Sequence, residues 1–208
     1  FMFSGVEADD VIAYLARHKH YQDWQKVIVS SDKDFFQLLD KKTVIYRPVQ
    51  KQVLNMNNLL KEYSIHPNNF ALARAMVGDK SDNLEGVGGI GLATAYKRFP
   101  FLSEEKPSTL TDIIDHCKTQ LKERKLKAYE NVVDNSDILK RNYKMMQLYA
   151  PMLDIAAKKV IHETIENVTF AFNKTETIKM MTQDGFGEIN FHELFAFFNK
   201  IIVDQRTN

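Results

Sequence analysis

Apolar positions along the first hundred residues fall into two rhythms. Val11, Ile12, Leu15 and Ala16 recur at the spacing of a buried helical stripe, so residues 7–18 read as a helix, with Ser4 or Gly5 as its cap and Glu7, Asp9 and Asp10 in its first turn. Val27-Ile28-Val29 is a short, unbroken β-branched run between Lys26 and Ser30-Ser31, which reads as a buried strand. Helical spacing resumes over residues 35–39, directly after Asp32-Lys33-Asp34, so those acids are expected at a strand's carboxyl end. Residues 43–46 and 52–54, separated by Arg47-Pro48 and polar positions, read as two further strands in a hairpin. Helix, strand and helix in this order predict an α/β fold with a partial, mostly parallel sheet.

From Asn55 onward the rhythm is helical. Residues 56–63 follow Asn55 as a cap, residues 70–77 follow His66-Pro67-Asn68-Asn69, and residues 92–99 resume after a polar, glycine-rich stretch. That stretch, residues 78–91, carries too many glycines for an element interior and suits tight turns with positive φ. Beyond Pro100 and Pro107, residues 110–149 read as one or two long helices, with Lys118, Lys122, Arg124, Lys125 and Lys127 clustered. The tail alternates apolar runs at 168–172, 178–181 and 191–202. The pattern thus divides the chain into an α/β part, residues 1–54, and a helical region, residues 55–208, with a two-helix hairpin at 70–99.

Composition narrows the class. A chain of 208 residues, 44% hydrophobic and 26% charged, is long enough to bury a substantial core, which excludes disorder, collagen and coiled coil. No run approaches the roughly 18 apolar residues of a membrane span and no apolar leader with a small-residue cleavage site opens it, so a cytoplasmic location is expected. Cys117 stands alone, which leaves no internal disulfide and no cysteine zinc site, and it reads as a small core residue. Phe1 and Met2 run straight into Gly5-Val6-Glu7 with no element before them, so the fold is expected to be incomplete at this end.

Charge brings in chemistry. The 28 bases and 27 acids nearly cancel, yet seven acids sit at element boundaries: Glu7, Asp9 and Asp10 at a helix start, Asp32 and Asp34 after a strand, Asp79 and Asp82 in the glycine-rich approach. In an open α/β sheet such boundaries converge on one crevice. Seven close carboxylates either take up protons or bind hard cations, and oxygen ligation without His or Cys favours magnesium or manganese over zinc. Two such ions held by carboxylates are a device for phosphodiester hydrolysis. With the seven set aside, 28 bases face 20 acids, a surplus that attracts a polyanion. Each cluster alone has a plainer reading, since helix dipoles favour acids in a first turn and aspartates are ordinary turn residues.

The segment from Gly86 to Gly91 satisfies G-x-G-x-x-G, but no strand precedes it, so a dinucleotide site is rejected. It reads instead as a turn between two helices, whose open N–H groups and helix N-terminus grip a phosphate without reading bases; the plainer alternative is glycine as a helix stop.

Taken together, Glu7-Ala-Asp9-Asp10, Ser30-Ser-Asp32-Lys-Asp34-Phe, Gly78-Asp79-Lys-Ser-Asp82-Asn and the run from Gly86-Val-Gly88-Gly89-Ile-Gly91 to Ala95 resemble, in order and spacing, the structure-specific 5′ nuclease family. That family includes flap endonucleases, the 5′ nuclease part of bacterial DNA polymerase I and phage 5′–3′ exonucleases of RNase H type. The resemblance covers residues 5 to about 99, and residues 100–208 match only loosely. It implies a PIN-like nuclease core, a helix-hairpin-helix (helix-two-turns-helix) DNA-binding element and two Mg2+ ions, with Mn2+ able to substitute and potassium at the hairpin. It further implies that Glu7, Asp9 and Asp10 ligate or support the water-activating ion. Asp32, Asp34 and Asp79 would ligate the second, with Asp82 in its outer sphere, and Gly86, Gly88, Gly89, Gly91, Thr94 and Lys97 would contact DNA.

The sequence also departs from the family. Its first strand, a second carboxylate and the basic arch have no counterpart here, which implies that these residues alone are inactive, and Ala93 stands where a basic residue is common, with Lys97 and Arg98 one turn later. The implied function is a metal-dependent 5′–3′ exonuclease or flap endonuclease acting on branched or nicked DNA and RNA–DNA hybrids in replication, in a bacterium or a phage-infected host, as a monomer. The alternative is a non-catalytic DNA-binding fragment. Residues 182–193 imitate a calcium loop at Gly187, Ile189 and Glu193 but carry Thr182 and Phe186 where oxygen ligands are needed.

Overall fold

The computed structural model describes residues 3, 5–167 and 173–206, so the apolar run at 168–172 lies outside the described residues. The chain forms two compact units, Phe1–Asp154 and Ile155–Asn208.

In the first unit, α1 (Ala8–Ala16) buries Val11, Ala13 and Ala16 and leaves its acidic first turn outward. Strands β1 (Lys26–Val29) and β2 (Thr43–Arg47) pair in parallel, Ile28 opposite Ile45, and β3 (Gln52–Leu54) returns antiparallel to β2. The described sheet is therefore mixed, one parallel and one antiparallel pairing, rather than mostly parallel. It is also covered on one face only. Ile28, Ile45 and Leu54 are buried, whereas Val27 and Val29 are 54% and 66% exposed, so β1 is half-buried and not the fully buried strand its apolar run suggests.

Residues Asp34–Leu38 form a short 3₁₀ turn in place of an α-helix, and its Phe35, Phe36 and Leu38 join the core. Helix α2 (Met56–Tyr63) starts where Asn55 Oδ1 accepts from Asn58 N at 2.9 Å. Helix α3 (Pro67–Val77) is the axis of the unit: Phe70 to Met76 are buried without interruption. Beyond it, β4 (Gly78–Asp79) and β5 (Leu84–Glu85) make a small antiparallel hairpin before α4 (Leu92–Arg98).

Residues 110–149 form three helices rather than one or two: α5 (Leu110–Glu123), α6 (Lys127–Asp134) and α7 (Ser136–Met146). The breaks fall in extended backbone at Arg124 and Leu126 and at Asn135, where neither proline nor glycine marks them. Helix α7 packs on α3 through Asn142, whose Nδ2 donates to the carbonyls of Ala75 at 3.0 Å and Glu85 at 2.8 Å. Cys117 is buried, and burial pushes its thiol up to about 12.

The second unit holds α8 (Ile155–Asn167), α9 (Lys174–Gln183) and α10 (Phe191–Arg206). Helices α9 and α10 flank the calcium-like loop, but Thr182 Oγ1 turns back to the Ile178 carbonyl at 2.7 Å and the loop's carboxylates form no metal-capable group among the described residues. No described helix is long and apolar enough to cross a membrane.

Candidate metal centre and nucleic-acid interface

The acidic face grows out of the carboxyl end of β1. The parallel ladder closes with Ser30 N donating to the Tyr46 carbonyl at 3.0 Å. Two side chains then bend the backbone: Ser30 Oγ accepts from Asp32 N at 3.0 Å and Asp32 Oδ1 from Asp34 N at 2.8 Å. The second turn opens the 3₁₀ segment and directs Asp34 at α3. Gln37, one turn on, clamps the loop from below, its Nε2 donating to the Asp34 and Met146 carbonyls at 2.8 and 2.9 Å and its Oε1 accepting from Leu148 N at 2.7 Å.

Asp79 and Asp82 arrive from the far end of α3. Gly78 ends that helix with φ of 77°, and a Cβ there would stand 2.4 Å from the Gly86 nitrogen, so the hairpin that carries Asp79 requires glycine at this position. Asp79 Oδ1 accepts from Ser81 N at 2.8 Å and from the Ser81 hydroxyl. These Ser81 bonds, with Arg74 adding to them, hold the Asp79 carboxyl down at about 2. Asp34, Asp79 and Asp82 each offer an oxygen, and the three oxygens lie within 4.8 Å of one another.

Arg74 lies within this group. Its Nε donates to Asp34 Oδ1 at 2.8 Å, Nη2 to Asp79 Oδ2, and Nη1 to the Gly78 carbonyl at 3.4 Å. The Arg74 side chain is 9% exposed and that of Asp34 13%. Burial pushes the Asp34 carboxyl up and the Arg74 bond opposes it; burial likewise works against the Arg74 charge, which Asp34 and Asp79 outweigh.

The first turn of α1 belongs to the same electrostatic field. Burial, then the charges of Asp32, Asp34, Glu7 and Asp10, push the Asp9 carboxyl up to about 6. Glu7 is the exposed N-cap of α1 and makes no capping bond, and Asp32 is exposed with one oxygen spent on its own turn. Asp10 has a different engagement: its Oδ1 accepts from Met152 N at 2.9 Å and ties α1 to the end of the first unit.

The glycine segment departs from the acidic group along β5. Gly86 passes so close to α3 that a Cβ would meet the Val77 carbonyl oxygen at 2.0 Å. Gly88 and Gly89 form an exposed turn, Gly89 with φ of 81°, and Asn131 of α6 donates to the Gly88 carbonyl at 2.7 Å. Gly91 caps α4, where Thr94 is half-buried and Lys97 exposed. A short loop, open backbone and a basic last turn, Lys97 and Arg98, therefore flank the acidic group within one stretch of about twenty residues.

The donor set suits a hard divalent cation. Its groups are carboxylate oxygens, and Asp34, Asp79 and Asp82 less the Arg74 charge leave two negative charges, the complement of one such ion. Arg74, Gln37 and Asn142 are the residues that motif spacing did not supply. For Arg74 a signal exists: it is the one charged position inside the otherwise apolar run of α3, and a buried guanidinium requires acidic partners.

Residues 1–64 match the family model described as the 5′-3′ exonuclease N-terminal resolvase-like domain. Among curated proteins, the chain is 37% identical over 91 residues to a 5′-3′ exonuclease of Aquifex aeolicus, covering 44% of this chain and 32% of that protein. It is 35% identical over 138 residues to the thermostable DNA polymerase I of Thermus aquaticus, covering 65% of this chain and 16% of that one. The chain thus spans a third or less of the length of these relatives. Among solved structures, a mutant T5 5′-exonuclease superposes with a TM-score of 0.65 at 24% identity, over 80% of this chain and 68% of that one. A zinc-bound T5 5′-exonuclease does so with a TM-score of 0.65 at 25% identity, over 80% and 61%. A bacteriophage T5 flap endonuclease in a pseudo-enzyme–product complex with DNA and metal ions also matches with a TM-score of 0.65, at 24% identity over 80% and 61%. Residues 1–64 are thus similar to the N-terminal domain of 5′-3′ exonucleases, and the chain shares the fold of the T5 5′-exonuclease.

Proposed function

We propose that these residues form the second-ion half and the DNA-gripping element of a metal-dependent 5′–3′ exonuclease or flap endonuclease. The substrates are branched or nicked DNA and RNA–DNA hybrids met during replication in the cytoplasm. The observation that carries the reading is the convergence of Asp34, Asp79 and Asp82, which come from two elements 45 positions apart in sequence. Metal ions and DNA bound to the T5 relatives support the same reading.

In this proposal Asp34 and Asp79 hold Mg2+, Asp82 orients its water shell, and Asp32 and Asp9, with Glu7, face the neighbouring position. Asp10 contributes charge while its oxygen serves the Met152 tether. Mg2+ held by Asp34 and Asp79 would supply positive charge beside the scissile phosphate, and an ion held near Glu7 and Asp9 would lower the pKa of a bound water. The segment from α3 to α4 acts as a helix-hairpin-helix: Gly86, Gly88, Gly89 and Gly91 let a phosphate reach backbone N–H groups, and Thr94 and Lys97 follow along the strand. A potassium ion at the exposed hairpin carbonyls would strengthen that grip.

The test, on the chain with the family's first strand supplied, is magnesium-dependent release of 5′ fragments from a labelled flap duplex, with Asp34→Asn and Asp79→Asn each reducing it by roughly a hundredfold or more. Cutting that survives in both variants overturns the assignment. The exposed glycine turn at Gly88 and Gly89 and the basic last turn of α4 also suit a second reading, a DNA-binding module without turnover. That reading is marked by salt-sensitive duplex affinity with no cleavage at any magnesium concentration.

A further inference from the structure

We infer that Arg74 is a built-in counter-ion of the metal position, a positioning residue that aims Asp34 and Asp79 and keeps the affinity of the site for a divalent cation low enough for exchange. The inference rests on the metal reading of the site given above. Its ground is the fork itself: one guanidinium donates to one oxygen of Asp34, to one oxygen of Asp79 and to the Gly78 carbonyl of the same hairpin.

Each bond has a separate consequence. The bond to Asp34 spans from the strand-end loop to α3, and the bonds to Asp79 and Gly78 span from α3 to the hairpin, so a single side chain fixes the relative placement of the two ligand-bearing loops. Asp34 Oδ2 stays outside the fork, and Asp82 is exposed and makes no ion pair with Arg74, so oxygens remain for a cation. A planar fork suits this task because it satisfies two carboxylates at once in a fixed geometry, which an ammonium does not.

Charge and geometry then predict opposite effects for two variants. Arg74→Met removes a positive charge that lies within hydrogen-bonding distance of two ligands; the Coulombic gain for a divalent ion exceeds the orientation lost, and affinity should rise about tenfold. Arg74→Lys keeps the charge and loses the fork, so affinity should fall about threefold to fivefold. An arginine that served only to hold the fold together would lower stability in both variants without this split.

The experiment is Mn2+ titration of the parent chain and both variants, counting free Mn2+ by electron paramagnetic resonance, with circular dichroism confirming that each is folded. Arg74→Gln replaces the Met variant if the latter does not fold. Thermal melts complete it, since Mn2+ should restore most of the melting temperature that the Met variant loses in its absence. Tighter binding by Arg74→Met together with weaker binding by Arg74→Lys supports the inference. Variants that bind Mn2+ like the parent, or that both shift in one direction, overturn it while leaving the metal reading intact. A parent chain that binds no Mn2+ overturns both.

Discussion

Gly78 and Gly86 approach so closely that a side chain on either would enter the other's strand of the hairpin: a Cβ on Gly78 would lie 2.8 Å from the Gly86 α-carbon, and one on Gly86 would lie 2.9 Å from the Gly78 nitrogen. This contact sets Asp79 at the end of α3 and starts the glycine turn.

It predicts a graded response to alanine. Gly86→Ala forces apart two backbone segments and should cost on the order of 3 kcal/mol. Gly89→Ala meets nothing within 4 Å and bears only the positive φ, a cost of roughly 1 kcal/mol. Urea denaturation of the two variants measures the difference, and equal losses would refute the close-packing account.

Asn142 joins α7 to α3 and to β5 of this hairpin. Asn142→Leu fits the volume but leaves the Ala75 and Glu85 carbonyls without a donor in a buried place, so a loss of about 2–4 kcal/mol is expected. Duplex affinity should weaken alongside, because the glycine turn follows directly on Glu85. Wild-type stability in this variant would show that the two bonds carry little.

The Asp9 carboxyl, raised from an ordinary 3.8 to about 6, gives a signed pH dependence. The folded chain holds the proton more tightly than the unfolded one, so this group favours folding below about pH 4 and that contribution is lost as pH rises through 6. Without divalent cations, Asp9→Asn should therefore melt higher than the parent at pH 8 and close to it at pH 4. A difference independent of pH would contradict the electrostatic origin.

Asp10 separates from its neighbours by what it holds. Asp10→Ala removes the acceptor for Met152 N and should cost about 1 kcal/mol, with faster amide exchange at Met152. Mn2+ affinity should change less than in Asp34→Asn. A larger metal effect for Asp10 would reassign it as a direct ligand.

The division between what the sequence disclosed and what it hid follows the range of the interactions. Glu7 to Asp10, Asp32 to Asp34 and Asp79 to Asp82 are local patterns at element ends, and Asn55 as a cap is a local signal. Residues such as Arg74 and Gln37 act across 40 to 111 positions and leave no local trace beyond a polar side chain among apolar ones. The exposure of Val27 and Val29 was hidden for the same reason, because a β-branched run looks alike whether one face is covered or two. His18, in the polar run His18-Lys19-His20, is buried and caps the following turn, which no apolar spacing signals.

The parallel register of β1 and β2 works as a ruler for the acidic group. Side chains alternate along a strand, so sliding β1 by one residue would turn Ile28 out of the core and shift the loop that follows by about 3.3 Å. That distance exceeds the tolerance of any ion's coordination shell. The spacing of Asp32 and Asp34 from the hairpin is therefore calibrated by hydrophobic pairing at Ile28 and Ile45. A substitution in that greasy pair would detune the ion-binding geometry from beneath without touching a single carboxylate.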